Sequence, residues 1–226
     1  MKKVFRDTLP VLVGYLFLGF GFGVLLVTKT GHNALWALAM SLFIYAGSGQ
    51  YVAVSLLASG ASLLSSFISI LLVNARHLFY GISLLDAYRD AGPRKPYMIF
   101  ALTDETYSLV TQNSPPQGMS RFKYCFFVSL FNHIYWICGC ILGALFGQYI
   151  PINYKGVDFV LTALFVTLFV EQLFNRKNHA PALIGVGATV LCLVIFGKEI
   201  FLIPSMALIA LLLTVMPKTG KEKKNG

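Results

Sequence analysis

Ten polar residues sit inside runs of apolar ones in this chain: Gln50, Asn74, Arg76, His77, Asp104, Glu105, Asn132, His133, Glu171 and Gln172. Both signs of charge are present, with two histidines among them. A charged side chain at bilayer depth costs about 2.5–3.5 kcal/mol on insertion scales, so such residues are functional candidates by default. Together they could hold a zwitterion. Arg76 is suited to a carboxylate through bidentate bonds. Backbone N–H groups freed around Gly47, Ser48 and Gly49 could serve the same end, with Gln50 and Asn74 adding neutral donors and acceptors. Asp104, Glu105 or Glu171 could face an ammonium group. His77 titrates near physiological pH, and it and Glu171 are the candidates for coupling to protons. A blander chemistry stands beside this one. Arg76 could pair with Asp104 or Glu105 only to cancel charge, or Arg76 and His77 could reach the headgroups from a helix end.

The elements that must position these groups centre on residues 46–81, where Ala46-Gly47-Ser48-Gly49-Gln50 opens the stretch and Asn74-Ala75-Arg76-His77 nearly closes it. Glycines at 47 and 49 let the backbone leave helical geometry. Unwound backbone at membrane depth is tolerated only where it is buried in protein or lines a cavity. The stretch is therefore expected to hold a broken helix near 46–50 and to form one wall of a transport site. Close helix packing at the glycines is the alternative.

The composition is that of a membrane protein. The chain has 226 residues, 57% of them hydrophobic and 12% charged, with a mean hydropathy of +0.72. Soluble domains average about 45–50% apolar and about 25% charged. The excess falls into long runs between short polar breaks, which implies an all-α polytopic membrane protein of seven to eight transmembrane helices. Spans are expected over roughly 10–27, 34–58, 62–85, 122–149, 157–174, 181–197 and 200–216. Residues 97–112 form either a partly buried further span or an interfacial helix. The first run is long and no small-x-small site follows it, so it is expected to be an uncleaved span, opened by Pro10. Residues 1–217 are expected to make one integral membrane domain, and 218–226 a basic, mobile tail.

Glycines at 19 and 23, and again at 139, 143 and 147, recur every four residues and imply smooth helix-packing faces. The four cysteines, 125, 138, 140 and 192, all lie in apolar runs without zinc-ligand spacing, so no metal and no cofactor is expected. The formal net charge of +9 reflects bases at the ends of apolar runs, where they meet anionic headgroups, and not a nucleic-acid partner. With eight spans, the N-terminus and the 114–123 and 175–180 loops share the basic, cytoplasmic side, while Lys29, Arg89, Arg94, Lys95, Lys155 and Lys198 fall on the other. Seven spans with the opposite orientation also fit. A shift of 122 residues aligns Gln50 with Gln172 and Leu42-Phe43 with Leu164-Phe165, the trace of an internal repeat.

Three motifs in order carry a family resemblance: Gly47-Ser48-Gly49-Gln50, then Asn74-Ala75-Arg76-His77 with Tyr80-Gly81, then Leu102-Thr103-Asp104-Glu105-Thr106-Tyr107. With them the chain resembles, over nearly its whole length, the AzlC-type branched-chain amino acid permeases, the LIV-E exporters. The resemblance implies a multi-pass inner-membrane exporter of leucine, isoleucine, valine or related amino acids. It further implies a small second membrane subunit of the AzlD type and secondary transport driven by an ion gradient. No G-x-x-x-x-G-K-[S/T] phosphate loop occurs, so ATP drive would need another subunit. The rival readings are a permease subunit of an ATP-driven importer and a non-transporting membrane scaffold. An enzyme is not expected: neither H-E-x-x-H nor G-x-S-x-G occurs.

Overall fold

The computed structural model describes residues 1–74, 77, 80, 84, 88, 92–149, 159–174 and 179–215, and every regular element among them is helical. In chain order the α-helices are α1 (Lys2–Thr30), α2 (Ala34–Phe43), α3 (Gly47–Ala58), α4 (Leu63–Asn74), α5 (Lys95–Phe100), α6 (Asp104–Gln112), α7 (Arg121–Tyr149), α8 (Phe159–Phe174), α9 (His179–Ile200) and α10 (Leu202–Val215). The chain divides into two compact units, Met1–Leu161 and Thr162–Gly226.

The frame of the first unit is the pair α1 and α7. Each has 29 residues, a length of about 43 Å at about 1.5 Å per residue. They run parallel. The Tyr124 hydroxyl donates to Asp7 over 2.8 Å near one end, and Gly147 lies against Val24 near the other. Between them the glycine faces interlock as their spacing implied. A Cβ on Gly139 would stand 2.7 Å from the Tyr15 carbonyl oxygen, and one on Gly143 would overlap that of Phe20. Pro10 lies inside α1 and does not open it. The helix starts eight residues earlier, where Lys3 and Asp7 pair one turn apart at 2.6 Å.

The stretch 34–58 is not a span. α2 leaves the far end of the frame, where the Ala34 N–H donates to Gln148 of α7 (3.2 Å). Seven residues later the Ser41 carbonyl accepts from His133, about halfway along α7 (3.1 Å). Tyr45 then takes a left-handed conformation (φ 43°) and Ala46 an extended one. α3 goes back the way α2 came: the Tyr51 hydroxyl donates to the Leu18 carbonyl, and Val54, Ala58 and Ser59 share a cavity of about 320 Å³ with Leu25 and Lys29. The break expected near 46–50 occurs at 44–46, just ahead of the glycines, and it reverses the chain.

Residues 95–112 form a second hairpin, from the opposite end. Arg94 lies over Phe122 and Phe126 near the start of α7. α5 climbs to Phe100, beside His133 and Tyr45. After a break at 101–103, α6 descends until the Val110 carbonyl accepts from Arg121 and the Ser114 carbonyl from Lys3. The segment is thus two short helices and not one continuous span. Between the hairpins, α4 runs from the far end to Asn74, beside Gly49 at half depth. Leu84 and Tyr88 lie at the N-terminal end with Val4, Met98 and Tyr124.

These reversals revise the expected topology. Among the described residues three helices are long and apolar enough to cross a membrane: Lys2–Thr30, Arg121–Tyr149 and His179–Gly197. The expected seven to eight spans are not confirmed among the described residues, where two segments of spanning length fold back. Arg94 and Lys95 consequently lie at the N-terminal end of the frame, not opposite it. In the second unit α9 bends at Gly197, and α9 and α10 pack on each other beside an apolar cavity of about 530 Å³ lined by Phe169, Pro181, Val186 and Ile209.

Candidate functional site

The two hairpin tips meet halfway along α1 and α7. The Tyr45 ring stacks on His133 at 4.1 Å between centroids and lies 6.3 Å from Phe100 of the other hairpin. An apolar arm of ten or so residues reaches about 15 Å, half of a hydrocarbon core of about 30 Å. The meeting point lies about halfway along two helices long and apolar enough to cross a membrane, and what faces it must satisfy its polar groups within the protein.

One turn of α7 organises the tips. Asn132 Nδ2 donates to Thr106 Oγ1 of α6 (3.0 Å). Trp136 Nε1 donates to Gln50 Oε1 of α3 (2.8 Å). His133 bonds the Ser41 carbonyl of α2 through Nε2 (3.1 Å) and lies 3.2 Å from the Tyr97 hydroxyl of α5 through Nδ1. From α1, the Tyr15 hydroxyl donates to Glu105 Oε2 and touches Thr103 Oγ1, both at 2.6 Å. Gln50 and Asn132 are fully buried. The amide nitrogen of the first and the amide oxygen of the second find no hydrogen-bond partner among the described residues. A buried polar atom left unpaired costs about 1–3 kcal/mol, a cost that a bound polar ligand would remove.

The two helices that start at the tips differ in electrostatics. α3 has no side-chain cap and no acidic residue in its first turn, and its first residues are Gly47, Ser48 and Gly49. Their N–H groups and the positive end of the helix dipole favour an anion. Glycine fits both odd positions closely: a Cβ at 47 would stand 3.2 Å from the Trp136 ring, and one at 49 would overlap the Asn74 amide. α6 is already compensated. Thr103 caps it by accepting from the Thr106 N–H, and Asp104 and Glu105 occupy its first turn. One tip thus presents donors and the other carboxylates.

Of the residues singled out in the sequence, the structure brings Gly47, Ser48, Gly49, Gln50 and Asn74 together at one tip, and Asp104 and Glu105 at the other. His77 Nδ1 lies 3.1 Å from the Asn74 carbonyl, within its own segment. Arg76 lies outside the described residues. Glu171 is on α8, and its side chain lies outside them too. The structure adds Tyr15, Tyr45, Thr103, Thr106 and Trp136, and moves Asn132 and His133 from bystanders to the centre. In a sequence, a tyrosine or tryptophan within an apolar run is indistinguishable from core. Only Thr103 and Thr106 had a signal, as members of the Leu102–Tyr107 motif, with Thr103 a capping type ahead of two acids.

A family model described as AzlC protein matches residues 10–150. The branched-chain amino acid transport protein AzlC of Bacillus subtilis (strain 168) is 41% identical over 217 residues, 96% of this chain and 85% of that protein. An uncharacterized membrane protein of Helicobacter pylori (strain ATCC 700392 / 26695) is 43% identical over 96% of this chain and 95% of its own length. Inner membrane protein YgaZ of Escherichia coli (strain K12) is 29% identical over 80% of this chain and 77% of that protein. No solved structure matches the chain.

Proposed function

The chain belongs to the AzlC family of multi-pass membrane proteins, and from that premise we propose that it is a secondary exporter of branched-chain or related amino acids, holding the substrate where the hairpin tips meet. The observation that carries this reading is the opposed chemistry of those tips. The substrate carboxylate lies against the first turn of α3, at Gly47, Ser48 and Gly49, with Gln50 and Asn74 beside it. The ammonium group faces Glu105 and Asp104 and donates to the unpaired amide oxygen of Asn132. Arg76, two positions after Asn74, is a second carboxylate partner in this reading; His77 and Glu171 remain proton-coupling candidates.

Each hairpin acts as the gate of the end from which it enters. Opening one exposes the central site to one side of the membrane only, which is the requirement of alternating access. The N-terminal end carries Lys2, Lys3, Arg6, Arg94, Lys95, Arg121 and Lys123, against Lys29 at the far end of the described frame. By the positive-inside rule that end faces the cytoplasm. In export the substrate enters past the second hairpin and leaves past the first. A small second membrane subunit of the AzlD type works with the chain.

The test is efflux from cells preloaded with branched-chain dipeptides, with and without the small subunit and an ionophore. Faster efflux of leucine, isoleucine or valine that collapses with the ionophore is expected. Unchanged efflux with both proteins present in the membrane removes the substrate, and efflux that tracks ATP and ignores ionophores removes the secondary mechanism.

A further inference from the structure

His133 bonds both hairpins. Its Nε2 reaches the Ser41 carbonyl on α2, and its Nδ1 the Tyr97 hydroxyl on α5. Its ring is stacked under Tyr45, at the first tip, and edge-on to Phe100, at the second. The ring is only 5% exposed. A carbonyl can only accept, so in the neutral ring Nε2 carries the hydrogen and Nδ1 accepts from the Tyr97 O–H. We infer that His133 is the residue through which proton movement is coupled to the gates, its two ring nitrogens joining the closed states of both hairpins. This rests on the transport reading above and deepens it by naming the coupling ion and its carrier.

The chemistry is a single proton transfer. A proton from water adds to the Nδ1 lone pair and gives the imidazolium. Nε2–H still donates to Ser41, so the first hairpin stays bonded. Nδ1 is now a donor, and the Tyr97 hydroxyl must turn its own hydrogen away and accept. Loss of the proton from Nδ1 to water restores the original bond. The titratable groups around the ring are Tyr97 from α5 and Tyr45 from the first tip; α6 contributes Glu105, next to Tyr45, and α1 contributes Tyr15, which donates to Glu105. α2 contributes the Ser41 carbonyl. A charge gained on His133 while both tips are closed is a charge out of contact with water, so protonation favours an open gate on the side whose bond has been reversed. Glu105 is less suited to this role, because its bonds reach α1 and its own helix but not the first hairpin.

The experiment uses the full chain, with its small subunit if flux requires it, in proteoliposomes. Two rates are read: exchange of labelled for unlabelled leucine at equal pH, and net leucine flux driven by a pH gradient. His133→Gln keeps a donor for Ser41 and an acceptor for Tyr97 but cannot carry a proton at these pH values. It is expected to lower gradient-driven flux by about tenfold or more relative to its own rate of exchange. Tyr97→Phe keeps the histidine and cuts its link to the second hairpin; it is expected to lower the leucine moved per proton. Full gradient-driven flux in His133→Gln overturns the inference, as does an equal loss of exchange and net flux with an unchanged melting temperature. A wild-type protein that exchanges leucine but ignores the pH gradient also overturns it, and leaves the transport reading standing. A wild type that exchanges no leucine removes both.

Discussion

At the scale of single residues, the site is defined by which polar atoms are already satisfied. Glu105 holds the Tyr15 hydroxyl, while Gln50 and Asn132 each have one buried amide atom to spare. Tyr45 sits at φ 43°, a conformation that costs a non-glycine residue roughly 1–2 kcal/mol, and its ring stacks on His133. Glu105→Gln retains the shape of the side chain and an acceptor for Tyr15 but removes the charge that the proposed site sets opposite the ammonium group of the substrate. A hydrogen bond to a charged group contributes about 1.5–3 kcal/mol, so the apparent affinity for leucine is expected to fall about ten- to hundredfold. The amount of protein in the membrane should not change, and the concentration dependence of efflux measures the difference. Asp104 and Glu105 were legible in the sequence because acids in an apolar run have few structural excuses. Tyr15, Tyr45 and Trp136 were not, since their polar atoms are a small part of side chains that any apolar core would accept.

At the scale of elements, two kinds of glycine separate. Gly143 has the Phe20 backbone where its Cβ would be, while Gly14, in the middle of α1, has nothing within 4 Å. Gly143→Val should therefore split α1 from α7 and deplete the protein from the membrane, as quantitative immunoblotting of membranes would record. Gly14→Ala should be neutral or stabilising by up to about 1 kcal/mol, because alanine loses less backbone freedom in a helix. The packing stripe was legible because spacing by four maps directly onto one helical face. The break before Gly47 was legible for a similar reason. Its sense was not. Residues 34–58 have the length and apolarity of a span, and a hairpin made of two half-length helices has the same hydropathy profile.

At the scale of the molecule, that ambiguity decides sidedness. A straight span over 34–58 would put His32 and Ser59 on opposite faces of the membrane; the hairpin puts both at the far end and Ser114 at the N-terminal end. With the four native cysteines replaced by alanine, His32→Cys and Ser59→Cys are both expected to react with an impermeant thiol reagent added outside intact cells, and Ser114→Cys only after the membrane is opened. Labelling of position 32 without 59 would restore the span and dismantle the opposed gates. The same fold makes the basic residues lopsided. Once Arg94 and Lys95 join the N-terminal end, the orientation that the linear sequence left open between seven and eight spans acquires a direction.

The sequence by itself determined the class of protein, the family, the packing faces and most of the residues at the two tips. These are properties of composition, of short-range spacing and of charge where charge is costly, and each can be read from neighbours along the chain. Only the tertiary structure decided that two segments turn back halfway along the frame, that their tips meet at Tyr45 and Phe100, and that Asn132, His133 and Trp136 on a single turn of α7 tie them together. The physical reason is that a reversal depends on one backbone angle at Tyr45 and on packing against helices distant in sequence. Hydropathy, which averages over whole segments, is the same for a chain that crosses the membrane and for one that goes halfway and returns.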